Sequence, residues 1–164
     1  MVSIGKPKID RREAQHYAGI LISTPMKGMQ QAIRDGIAGV SAWLDARGIE
    51  RSGPPFNRFH IIDMNGVMHI ETGVPVAEPV KGDGRVRPGL LPAGKYASLI
   101  YNGGGISGNK ALIEWVRDQG LAFDRWDDPA GDAFAARYES YLTDPAVQPL
   151  KSKWDIEVAI KLRE

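Results

Sequence analysis

Ile33, Ile37, Val40 and Leu44 recur at steps of four, three and four residues, the apolar stripe of an amphipathic helix. Gly48 follows where a left-handed residue ends a helix. Gly36 and Gly39 fall inside the stripe, where they weaken the helix and permit close packing. A shorter helix is predicted over Ala111–Gln119, with Leu112, Trp115 and Val116 on one face. Elsewhere the period shortens to two. Strands are expected at Ile9–Arg12, Tyr17–Thr24, Arg85–Leu91, Lys95–Tyr101, Phe134–Thr143 and Trp154–Leu162. Phe59–Asp63 and Val67–Val76 should pair as a hairpin across Asn65-Gly66, a strong two-residue turn signal. Gly103–Gly108 and Asp127–Asp132 read as loops, and Lys81–Gly84 as a link between halves.

The two halves repeat one another. Trp43-Leu44-Asp45-Ala46-Arg47-Gly48-Ile49 returns as Trp115-Val116-Arg117-Asp118-Gln119-Gly120-Leu121, an offset of 72 (115 − 43) that holds for the Trp, the Gly and the aliphatic residue after it. The strand around Ile70-Glu71 returns as Ile156-Glu157 at an offset of 86 (156 − 70), so the second copy carries about fourteen extra residues (86 − 72). A duplicated half-domain buries its apolar faces against its twin, and the seam between twins is a natural place for a pocket. One helix and several strands per half predict an α+β fold: an antiparallel sheet covered on one face by two helices. The chain reads as a single domain, residues 1–164, with repeats at about 7–81 and 84–164.

Alternation in the last strand sets Ile156, Val158, Ile160 and Leu162 on one face, and Asp155, Glu157, Ala159 and Lys161 on the other. Its twin sets Ile70, Thr72, Val74 and Val76 against His69, Glu71 and Gly73. The aliphatic faces should pack on the helices. The opposite face joins a carboxylate to a small neighbour, Glu157 with Ala159 and Glu71 with Gly73, a combination that fits a groove for a cation.

Composition removes several classes. A net charge of +1 with no basic block gives no reason to expect a nucleic-acid partner. Zero cysteines excludes disulfides, thiolate metal sites and cysteine nucleophiles. His16, His60 and His69 lack metal-ligand spacing, so no metal and no cofactor is expected. No apolar signal region or run of transmembrane length occurs, which predicts a cytoplasmic protein with no membrane partner. Gly103-Gly104-Gly105-Ile106-Ser107-Gly108 spells a dinucleotide fingerprint but lies among antiparallel signals, and Asn109 separates it from the lysine a P-loop needs.

Gly53-Pro54-Pro55-Phe56, Gly94-Lys95-Tyr96-Ala97, Tyr101 with its glycine, Glu114-Trp115-Val116, Arg137-Tyr138, Tyr141-Leu142-Thr143-Asp144-Pro145 and Ile156-Glu157-Val158-Ala159-Ile160 follow in order. With the duplication, this set resembles the GyrI-like small-molecule-binding domain, the effector-binding domain of AraC-type and multidrug-responsive regulators. The resemblance runs from about Pro7 to Leu162. It implies two pseudo-twofold-related β-α-β-β units forming one antiparallel sheet. It also implies a groove between the units that commonly takes lipophilic cations against a glutamate in the final strand. Glu157 matches that glutamate, and Tyr141 matches a characteristic aromatic. Lys161 stands where the family usually has a proline, a change at the strand edge rather than in the groove. Many relatives carry a DNA-binding domain for which 164 residues leave no room, so the chain resembles the free-standing members.

The resulting expectation is a non-enzymatic binding protein that captures a hydrophobic, cationic aromatic compound, for drug or effector sensing or for sequestration. Tyr101, Tyr141, Trp126 and Phe59 would supply ring faces, Glu157 the counter-charge, and Ala159 and Glu71 the rest of the groove face. Trp43 and Trp115, at equivalent helical positions, are assigned to the core. Two alternatives stand beside this. Some relatives are described as hydrolases of strained cyclopropane-bearing compounds, which would make Glu157 an acid or base. Gyrase-inhibitory relatives act on a protein partner, which would make the domain an interaction module.

Overall fold

The computed structural model describes residues 3–164. Its strands are β1 (Ser3–Ile4), β2 (Lys8–Arg12), β3 (Gln15–Pro25), β4 (Phe56–Ile62) and β5 (Val67–Pro75), then β6 (Arg87–Leu91), β7 (Gly94–Asn102), β8 (Arg125–Asp128), β9 (Gly131–Phe134), β10 (Arg137–Tyr141) and β11 (Asp155–Lys161). Helix α1 (Met29–Arg47) follows β3, and α2 (Gly105–Asp118) follows β7. All strands join one sheet, and every pairing in it is antiparallel.

Across the centre the order is β3-β5-β4-β10-β11-β7, so each half lays down its strands in the mirrored sequence of the other. The registers agree with that symmetry. Leu21 and Arg58 flank Glu71, while Ile100 and Ser140 flank Glu157. At the seam, Phe56 faces Ser140, Asn57 faces Glu139 and Arg58 faces Tyr138. These are the relations that a twofold between β4 and β10 requires. The outer strands are exchanged: β2, from the first half, pairs with β7 of the second, and β6, from the second half, pairs with β3 of the first.

Both helices lie on one face. Met29 and Ile33 of α1 and Leu112 and Val116 of α2 share a core with Ile70, Leu99, Ile156, Val158 and Ile160. Val40, Trp43 and Leu44 continue it over Ala18 and Val74. The other face carries Tyr17, Phe56, Leu91, Tyr96, Tyr138 and Ala159 as a separate cluster. Each helix meets the sheet through a glycine, and the two glycines share the 72-residue offset of the tryptophans (108 − 36). A methyl group on Gly36 would collide with the Thr72 hydroxyl, and one on Gly108 would stand 2.6 Å from the Tyr101 ring. Gly48 caps α1 in the left-handed conformation at φ 65°, and Ile49 N–H donates to the Leu44 carbonyl at 3.1 Å.

Three local expectations are corrected. The helix expected to begin at Ala111 begins at Gly105, because the glycine run that reads as a loop is what lets α2 lie against Tyr101. No residue of the β4–β5 connection has positive φ, so the two-residue turn at Asn65-Gly66 does not form. Instead Asp63 closes a four-residue turn: Gly66 N–H donates to its carbonyl at 3.2 Å, and Asn65 N–H to its carboxylate at 3.1 Å. Finally, Asp127–Asp132 belongs to a β8–β9 hairpin, and the strand expected over Phe134–Thr143 breaks after Phe134. The break lets β9 pair with the end of β4 at Ile61 and Ile62, while β10 pairs with its start. This hairpin accounts for about ten of the extra residues of the second copy (82 − 72, with Ser140 matching Arg58), and the β10–β11 connection holds the other four (86 − 82). Among the described residues, no helix is long and apolar enough to cross a membrane.

Candidate functional site

Between α1, α2 and the sheet lies a cleft of about 550 Å³. Its walls include Met26, Met29, Met64 and Met68, four of the five methionines in the chain, with Phe59, Ile62, Ile106 and Ile113. Methionines are flexible and polarisable, so such walls adapt to apolar bodies of different shape. Alternation along β10 turns Tyr138 to the far face and Glu139 to the helix side, where Glu139 lines this cleft with Tyr101 from β7.

Glu139 is only 8% exposed and accepts a hydrogen bond from the Tyr101 hydroxyl. Among the described residues, no Lys, Arg or His forms an ion pair with it. Burial, reinforced by the adjacent carboxylate, pushes the Tyr101 hydroxyl well above the usual phenol range, so it stays protonated and donating. Arg137 and Lys151 also line the cleft, and burial lowers the pKa of both. Arg137 is engaged elsewhere, donating to Asn109 Oδ1 at 2.8 Å and lying over the Phe134 ring at 4.8 Å. The cleft thus offers apolar bulk around one buried carboxylate with no ion-pair partner in contact, although Arg137 and Lys151 act on it from a longer range and Lys110 and Arg117 also line the wall. A tyrosine bonded to a carboxylate can also pass a proton to a bound molecule.

The opposite face holds a second concavity of about 510 Å³, lined by Arg12, Phe56, Leu91, Tyr96, Tyr138 and Ser140 among others. The carboxylates of this face are already matched. Arg12 donates to Glu157 at 3.0 Å and to the Tyr138 hydroxyl at 2.8 Å. Glu71 accepts from Tyr17 at 2.6 Å and from Arg87 Nε at 2.9 Å, and His60 Nε2 lies 2.9 Å away. Burial alone would raise the Glu71 carboxyl, but these three partners outweigh it and hold the pKa at about 2.

The seven residues singled out in the sequence are therefore divided between faces. Tyr101 and Phe59 line the cleft beneath the helices. Tyr141 is on the same side, packed on Trp154 with ring centroids 5.7 Å apart. Glu157, Ala159 and Glu71 lie on the other face, away from the helices. Trp126 stands on β8, 49% exposed, and lines neither concavity. Sequence reasoning passed over Glu139, although alternation in Arg137-Tyr138-Glu139-Ser140-Tyr141 puts it on the face of Tyr141. It also passed over the methionines and over Arg12, whose partner is 145 positions away. Among the described residues, no group of three or more His, Asp or Glu side chains is placed to hold a metal ion.

The family model for the GyrI-like small molecule binding domain matches residues 5–163, and the chain belongs to that family. No curated protein sequence matches it. Among solved structures, the C-terminal domain of EcmrR has a TM-score of 0.77 at 15% identity, with 98% of each chain covered. A hydrolase from Listeria innocua has a TM-score of 0.65 at 14% identity, covering 96% of this chain and 92% of that one. SAV2435, solved with tetraphenylphosphonium bound, has a TM-score of 0.58 at 9% identity, covering 96% and 94%. At these identities the likeness is one of fold.

Proposed function

We propose that the cleft between α1 and α2 binds a hydrophobic, cationic aromatic compound, with Glu139 as counter-charge and Tyr101 and Phe59 as ring faces, for effector sensing or sequestration. One observation carries this reading: Glu139 is buried in a methionine-walled cleft with no cation paired to it. A ligand cation seated against Glu139 gains the direct contact that Arg137 and Lys151 do not make, whereas a neutral isostere does not. The phosphonium bound to SAV2435 is a compound of this class.

Calorimetric titration with tetraphenylphosphonium tests it. The wild type should bind, and Glu139→Gln should bind about ten- to a hundredfold more weakly. Full affinity in Glu139→Gln would refute the assignment.

A hydrolytic role has one observation in its favour, the Tyr101–Glu139 hydrogen bond facing the cleft. Turnover of a strained cyclopropane substrate that is lost in both Tyr101→Phe and Glu139→Gln would establish it.

A further inference from the structure

Asn57 lies at the centre of the sheet, opposite Glu139 in the β4–β10 pair. It points to the helix side, as does Phe59 two residues on, which lines the cleft. Asn57 is 0% exposed, and neither its amide nitrogen nor its amide oxygen has a hydrogen-bond partner. Thr72, which faces Asn57 from β5, and Tyr141, two residues beyond Glu139, also have buried hydroxyls without partners. Four orphaned polar atoms thus lie on the helix side of these strands, under the cleft rather than in its lining.

Such gatherings are rare, because a buried donor or acceptor forfeits the bonds it would make to water. The Glu71 carboxylate, on the other face, shows the ordinary outcome, with partners on both oxygens. A leucine has nearly the shape of asparagine and no polar demand, so the amide is kept at a cost to the fold.

We propose that Asn57 is a specificity-determining residue of the cleft: it reads a neutral hydrogen-bonding group, a hydroxyl or carboxamide, that the ligand carries beside its cationic centre. This rests on the reading of the Glu139 cleft as a site for cationic aromatic compounds. The amide both donates and accepts, so it suits a group that does the same. Directly opposed residues have Cβ atoms about 4.5–5.5 Å apart, close enough for one ligand to meet Glu139 and Asn57 together. The methionines of the walls change rotamer readily, which lets a ligand reach a side chain covered in the free protein. A ligand without the polar group leaves the amide orphaned and is discriminated against for that reason.

The test is a matched pair of probes, tetraphenylphosphonium and (4-hydroxyphenyl)triphenylphosphonium, titrated into the wild type, Asn57→Leu, Asn57→Ala and Glu139→Gln. The wild type should prefer the hydroxylated cation by about tenfold. In Asn57→Leu and Asn57→Ala that ratio should fall to about one, whereas Glu139→Gln should weaken both probes and keep the ratio. Asn57→Leu should also melt at or above the wild-type temperature, since it removes a buried orphan. An unchanged ratio in the Asn57 variants, no preference in the wild type, or a lower melting temperature for Asn57→Leu overturns the proposal alone. Failure of the wild type to bind either probe overturns the cation reading and takes this proposal with it.

Discussion

Arg12 and Glu157 form an ion pair at 3.0 Å across the exchanged edge of the sheet, with side chains 21% and 19% exposed. Burial works against the charge on Arg12, but Glu157 and Tyr138 outweigh it and keep the guanidinium firmly protonated. Ser98 takes a further bond at 3.2 Å. This pair is a clamp between β2 and β11.

Removing one member strands the other. Arg12→Met should lower the free energy of unfolding by about 2–3 kcal/mol, and adding Glu157→Gln should restore part of the loss. Denaturant unfolding in a double-mutant cycle measures this. The same pairing predicts that Glu157→Gln acts on stability and Glu139→Gln on cation affinity. Equal losses of cation affinity in the two variants would assign counter-charge to both residues.

Glu71 gives the fold an acid-sensitive element. Its folded pKa of about 2 lies below the ordinary carboxylate value, so the folded state binds that proton less readily than the unfolded chain. The stabilisation is therefore complete above about pH 5 and is lost as pH falls toward 2. Its scale is about 3 kcal/mol. Glu71→Gln should remove most of this acid dependence between pH 5 and 2, seen as a flatter plot of melting temperature against pH.

Gly36→Ala opposes two effects. Alanine improves helix propensity by about 1 kcal/mol. Against that, the added methyl meets the Thr72 hydroxyl, with the Thr72 methyl at 3.0 Å and the end of Ile22 at 3.1 Å. Overpacking of this kind costs about 1–3 kcal/mol, and the collision is with a side chain fixed on a central strand. The net change should be destabilising by about 1–2 kcal/mol. A rise in melting temperature would mean that α1 shifts freely on the sheet.

What could be read from the sequence was local in origin. The stripe Ile33, Ile37, Val40 and Leu44, the Gly48 stop and the alternation around Glu157 each follow from neighbours along the chain, and all three are present in the structure. The start of α2 was hidden because its reason is a contact between Gly108 and Tyr101, which no propensity contains. The β8–β9 hairpin was hidden because the break after Phe134 is made by pairing with β4. Glu139 lay in a strand whose alternation was legible. Its significance was not, because that depends on Tyr101 arriving from β7, and on Arg12 arriving from β2 to satisfy Glu157 instead.

The two repeats are proposed to fold as a single unit, because the sheet is continuous through the β4–β10 pair and each half supplies an edge to the other. Scanning calorimetry should show one transition whose calorimetric and van't Hoff enthalpies agree. Two resolved transitions would separate the halves.

The exchange of β2 and β6 makes the chain resemble a domain-swapped dimer fused into one polypeptide. In an isologous homodimer, a residue beside the axis must face its own copy, so a glutamate at the seam would oppose a second glutamate in a buried place. Covalent fusion lifts that constraint. It permits Asn57 on one side of the seam and Glu139 on the other, giving a nearly symmetric scaffold an asymmetric centre.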